Sequence, residues 1–230
     1  MAGFVIAHRF RGPEDSGNGG YTCGMVAGFV DGDAEITLRN PPPLDRYLEV
    51  RPAEGGIDVF DEDTLIAEGR IAVWDLETPD PPSMEEAVEA KRRYTGYERH
   101  AFPYCFVCGT NRPDGIQVHA GQVDGRDVWA SPFHPDPSLP STGGMLDEEM
   151  VWSALDCPGA WAVERALQDQ PVLLGKMAAH MERPVPADGA CIAIGWPIGM
   201  DGRKLYSGTA LFDTAGTRYG HALQTWIVLG

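Results

Sequence analysis

The chain has 230 residues, 43% of them hydrophobic and 9% aromatic, enough to bury a core as one large or two small domains. Its formal net charge of −16 argues strongly against nucleic acid as a partner, since phosphates would be repelled. No apolar run is long enough to span a bilayer, Met1 to Arg11 lacks the apolar centre of a secretion signal, and five cysteines fit reduced thiols better than a disulfide framework; a cytoplasmic protein without a membrane is expected.

In chain order, Asn18-Gly19-Gly20-Tyr21 opens a small, apolar stretch that runs to about Val30 and reads as a buried helix, its glycines allowing close approach to a sheet. Ala34 to Arg39 alternates apolar and polar side chains, as a half-buried strand does. Strands are expected at Gly56 to Phe60 and Thr64 to Trp74, with a turn at Asp61 to Asp63. Thr78 to Ser83 reads as a linker. Ser83 then caps a surface helix from about Met84 to Tyr94, with Glu85 and Glu86 at its start and Lys91, Arg92 and Arg93 at its end. Val128 to Ala130 is a short strand candidate. One helix is expected from about Asp147 to Leu155 and another from about Gly159 to Gln168, split at Pro158. Strands follow at Leu173 to Arg183, Ala190 to Pro197, Leu205 to Asp213 and Arg218 to Leu229, with hairpin turns at Asp201-Gly202 and Thr214-Ala215-Gly216. A helix followed by antiparallel strands thus occurs twice.

Three segments carry a resemblance. Cys105-Phe106-Val107-Cys108-Gly109 with Asn111, Pro113, Asp114, Gly115 and Ile116 looks like a CxxCG…NPxGL opening, Asn18 to Tyr21 looks like a GGY helix start, and Trp152 to Gly159 is similar to a thioesterase-like stretch. Together they resemble the hotdog-fold thioesterases and their tandem, double-hotdog relatives. The resemblance implies an α+β fold of two tandem units, each a long helix wrapped by a curved antiparallel sheet. Residues 1–78 would form the first unit, 79–101 a linker with a helix, and 102–230 the second.

Thioester hydrolysis needs a carboxylate to attack or to activate water, and a donor for the developing oxyanion. In the phenylacetyl-CoA-type relatives, the resemblance implies a His-Gly-Gly helix start in one copy and an acid about two turns along the helix of the other. Eight residues after Gly19 stands Ala27, not an acid; eight before Asp156 stands Glu148, with no glycine pair. One composite site per chain is therefore expected, with Asn18, Gly19 and Gly20 as the anion-friendly start and Asp156 as base or nucleophile. Asn18 and Asp147 replace the motif histidine. Asp156 could equally cap a helix beginning at Pro158, and the glycines could serve packing alone.

Tyr21 and Trp152 are candidates for touching an acyl chain, and Arg203 with Lys204 for holding the phosphates of coenzyme A, with Lys176, His180 and Arg183 nearby. Coenzyme A enters as part of the substrate, and no separate cofactor is expected. Cys105 and Cys108 supply two of the four ligands of a structural zinc site and the flanking His100 and His119 could complete the set, but no second CxxC exists and no metal is expected. The leading reading is an acyl-CoA thioesterase. Its alternatives are a non-catalytic acyl-CoA or lipid-binding protein and, since no histidine falls in the expected helices, less well a hydratase. The sheets leave room for a homo-oligomer.

Overall fold

A computed structural model of the chain describes residues 2–164 and 170–229. Thirteen strands follow in chain order: β1 (Ala2–Val5), β2 (Ala34–Leu38), β3 (Tyr47–Ala53), β4 (Gly56–Asp61), β5 (Thr64–Ile71), β6 (Gly121–Gln122), β7 (Trp129–Phe133), β8 (Ser141–Thr142), β9 (Met145–Leu146), β10 (Val172–Met181), β11 (Cys191–Asp201), β12 (Lys204–Asp213) and β13 (Arg218–Val228). Three α-helices join them: α1 (Gly19–Ala27), α2 (Met84–Lys91) and α3 (Glu148–Glu164). Eleven strands form one antiparallel sheet in the order β1-β3-β4-β5-β2-β10-β13-β12-β11-β7-β6, while β8 and β9 make a separate hairpin. All first-half strands lie on one side and all second-half strands on the other. The halves meet where β2 pairs with β10, Ile36 opposite Met177. No helix among the described residues is long and apolar enough to cross a membrane.

The predicted alternation holds in β2, whose Ala34 and Ile36 enter the core. Both anticipated hairpins form, with Gly202 and Gly216 at positive φ, where a side chain would be strained. β3 was not foreseen because Pro52 stands inside it, where a proline argues against a strand, and β1 because four residues, Ala2–Val5, are too few to show an alternation.

Against the sheet, α1 is buried nearly all round, as its small, apolar composition requires. It lies directly on α3. A Cβ on Gly20 would stand 2.5 Å from Asp156 Cβ, and one on Gly24 would stand 2.5 Å from Glu149 Cα. Two glycines four residues apart therefore let the helix backbones approach to a separation no larger residue permits.

The expected split at Pro158 is wrong: α3 is one helix of 17 residues with Pro158 inside it. Pro158 has no N–H for the Ala154 carbonyl four residues back and its ring crowds that carbonyl, which normally breaks a buried helix. Here Gln224 of β13 donates to the Leu155 and Asp156 carbonyls at 2.8 and 3.0 Å. Its own oxygen accepts from Ser207 at 2.9 Å and from the Trp226 indole at 3.2 Å. Gly195 of β11 approaches the Pro158 carbonyl so closely that a Cβ would lie 2.2 Å from its oxygen. The rest of the second predicted helix, to Gln168, falls outside the described residues.

The helix at Met84 ends at Lys91, three residues early, and is no mere surface connector. Its capping box forms as the sequence suggests, between Ser83 and Glu86. Its Ala87 and Ala90 pack with Ile192, Ile194, Trp196 and Phe212 in a smaller second core.

Candidate active site at the junction of the two helices

Asn18 is the N-cap of α1. Its Oδ1 accepts from the Tyr21 N–H at 2.9 Å, which fixes the amide orientation and points Nδ2 away from the helix. Nδ2 then donates to Asp156 Oδ2 at 2.8 Å, and the Gly20 N–H donates to the same oxygen at 3.1 Å. Asp156, from the middle of α3, is thus pinned at the positive end of α1. Its other oxygen, Oδ1, has no hydrogen-bond partner among the described residues. Asp156 caps no helix of its own, since α3 continues through it.

Asp156 is 2% exposed. Burial first, and then the neighbouring Cys105 sulfur, push its carboxyl up to about 7, opposed by the Gly20 N–H and the Asn18 amide. The residue lies at the wall of a cleft of about 100 Å³, bordered by Gly19, Phe102, Trp161, Leu174 and Trp226. The Gly19 N–H, first in the helix, makes no hydrogen bond within the described residues and borders the same cleft. The chemistry on offer is one carboxylate oxygen tethered, one free, and a free helix-start amide beside an apolar channel.

Solved structures share this arrangement of helices and sheet over nearly the whole chain. A conserved protein with a hot dog fold from Alicyclobacillus acidocaldarius superposes with a TM-score of 0.66 at 10% identity, covering 99% of this chain and 92% of that one. The chain has the hotdog fold. A TesB protein of Mycobacterium avium subspecies paratuberculosis matches with a TM-score of 0.61 at 10% identity, covering 95% and 89%. A candidate thioesterase of Novosphingobium aromaticivorans matches with 0.61 at 10%, covering 99% and 95%. Sequence identity this low establishes the fold alone. No family model and no curated protein matches the chain.

On this hotdog frame the four residues expected at the reaction centre, Asn18, Gly19, Gly20 and Asp156, come together. The four expected at the substrate do not border the cleft. Trp152 is 1% exposed; its backbone carbonyl and Cβ pack against Gly20 and Gly24, and its indole donates to Glu148 at 3.3 Å. It shares a helix face with Asp156, but that face is divided between the α1 contact and the cleft. Tyr21 stacks on Phe10 at 4.1 Å between ring centroids and is buried with Phe106. Arg203 spends its guanidinium on the Val228 carbonyl, at 3.0 and 2.8 Å, and Lys204 stands exposed beside it. Lys176 pairs with Glu35 and His180 with Asp33, each at 2.7 Å. No lysine or arginine is among the described residues of the cleft wall.

Trp161, one of the tryptophans that the sequence offers for the core or an acyl tunnel, borders the cleft, whereas Cys157 was missed as a cleft residue. Cys157 Sγ lies 3.9 Å from Cys105 Sγ, and both border the cleft. His100 borders it too, but its Nδ1 accepts from the Phe102 N–H at 3.0 Å, so its Nε2 carries the proton and donates to the Cys108 carbonyl at 3.0 Å. Burial holds its pKa below the ordinary range.

Proposed function

We propose that the chain is a tandem double hotdog, with units at 1–78 and 102–230 joined by a helical linker at 79–101, and that it hydrolyses an acyl thioester such as an acyl-CoA. One observation carries the reading. A half-tethered carboxylate from the second half meets the first helix start of the other half at the end of an apolar cleft. Gly20 and Asn18 hold Oδ2, leaving Oδ1 to attack the thioester carbonyl or to draw a proton from water. The Gly19 N–H, helped by the positive end of α1, receives the oxyanion. A carboxyl with a pKa near 7 is a competent base at neutral pH, since it is half ionised there and still basic. By the water route, the hydroxide adds to the carbonyl, the C–S bond breaks, and the thiol leaves with the proton that Asp156 took. By direct attack, the thiolate leaves as an acyl–Asp156 anhydride forms, and water then cleaves the anhydride to the free acid and Asp156.

Binding without turnover is the second reading, favoured by one fact: Asp156 occupies the Gly20 N–H itself, so one of the two expected oxyanion donors is spent on the carboxylate. The dearth of basic side chains at the cleft leaves the phosphates of coenzyme A to the solvent or to the rim. A panel of acyl-CoA esters of graded chain length separates the two readings. Free-thiol release with any of them supports hydrolysis; calorimetric binding with no thiol release establishes the carrier.

A further inference from the structure

The thiols of Cys105, Cys108 and Cys157 all lie within 4.8 Å of one another, all buried and all at the wall of the cleft. We propose that they form a binding site for one zinc(II) ion, assembled from the loop that opens the second half and from α3.

Zinc–thiolate bonds of about 2.3 Å place neighbouring sulfurs of a tetrahedron roughly 3.8 Å apart. Cys105 and Cys157 already stand at 3.9 Å. The third sulfur needs at most a rotamer-scale adjustment to join them. The loop that carries two of the sulfurs is held largely through its backbone, while Asn18 Nδ2 reaches the Cys105 sulfur at 3.7 Å and the Cys157 thiol lies 3.9 Å from Asp156 Oδ2. The Gly109 N–H donates to the Cys105 carbonyl at 2.9 Å, and a Cβ at Gly109 would stand only 2.5 Å from that oxygen. The Cys108 carbonyl accepts from the Tyr94 hydroxyl at 2.7 Å and from His100 Nε2 at 3.0 Å. Such outer contacts orient ligands before the metal arrives.

Exposure sets these three apart. Each is 5% exposed, whereas Cys23 and Cys191 are 0% exposed. The cleft gives an ion a path to the first set and none to the second. His100 does not complete the tetrahedron, because both of its ring nitrogens are engaged; a water from the cleft takes the fourth position. Thiolate ligands select zinc(II), copper(I) or iron–sulfur clusters. Three thiolates around a dication leave one net negative charge beside Asp156, against two around a monocation, so the buried setting favours zinc. Each coordinating thiol releases its proton to solvent.

The test uses the full chain, stripped by chelator under reducing conditions and titrated with cobalt(II) as a spectroscopic probe and then with zinc(II). One equivalent of cobalt should bring up sulfur-to-cobalt charge-transfer absorption that zinc abolishes, and a Cys105→Ser, Cys108→Ser double variant should lack it. The unmutated chain gives an independent reading. Zinc should protect Cys105, Cys108 and Cys157 from alkylation, mapped by peptide mass, while Cys23 and Cys191 react alike with and without it. Absence of the charge-transfer bands, their survival in the double variant, or alkylation at Cys157 unchanged by zinc would overturn the site. None of these readouts depends on thioester turnover.

Discussion

Asp156 is a buried carboxylate with one oxygen tied and the other alone, and such a group costs stability in return for reactivity. Its pKa stands at about 7 against an ordinary 3.8, which corresponds to about 4 kcal/mol. The folded chain keeps a proton that the unfolded chain has released, so this group's contribution to stability is full below pH 3.8 and falls as the pH rises to about 7. Asp156→Asn, measured by denaturant unfolding with a chelator present, should therefore gain stability over the native chain across that window and hold a constant lead above it. A lead that does not change with pH would contradict the assignment. Asn18 makes two separable contributions at the same point. Asn18→Ala removes the cap, worth about 1 kcal/mol. Asn18→Asp keeps an acceptor for the Tyr21 N–H but sets a second negative charge against Asp156, so turnover should reach half its maximum at a higher pH than in the native chain. An unmoved pH profile would separate Asp156 from the reaction. Asn18, Gly19, Gly20 and Asp156 were legible from spacing within a resemblance, because a glycine start and an acid stood in opposite halves. Cys157 was not, since no local pattern ties it to a cysteine 52 residues away.

At the scale of elements, α1 and α3 are held by what is missing between them. Gly24→Ala gains about 1 kcal/mol of helix propensity. It also drives a methyl to 2.5 Å from the Glu149 Cα, which is backbone and cannot swing away; overpacking of this kind costs about 1–3 kcal/mol. The steric term wins, and the variant should unfold at lower denaturant concentration; an unchanged or higher midpoint would show that the helices can separate freely. Gln224→Leu removes the side chain that donates to the Leu155 and Asp156 carbonyls beside Pro158 and accepts from Ser207 and Trp226, and denaturant unfolding should show a loss of about 1–3 kcal/mol. The small, apolar composition of α1 and the sharp turns before β12 and β13 could be read locally. The continuity of α3 could not, because the Gln224 amide that braces it beside the proline comes from a strand 66 residues after Pro158 in sequence. The facing of Trp152 was equally hidden: its four-residue spacing to Asp156 fixes a helix face, and only the position of α1 decides which part of that face meets the cleft.

Across the whole molecule, the β2–β10 ladder and the α1–α3 contact bridge the halves, joined by the packing of Phe10 and Tyr21 on Phe106. Residues 102–230 expressed alone would present β10 as a bare edge and α3 as an uncovered apolar face. That fragment should aggregate unless residues 1–101 are supplied with it, and a monomeric, cooperatively folding fragment would contradict the interdependence of the two halves of the chain. The same bridging places the acid of one half on the amide of the other, and the functional account depends on that junction. The most direct measurement is steady-state thiol release from the best acyl-CoA by the native chain and by Asp156→Asn, with folding of both checked by circular dichroism. The account predicts a loss in kcat of about a hundredfold or more at little changed KM. Full turnover by the asparagine variant would contradict it.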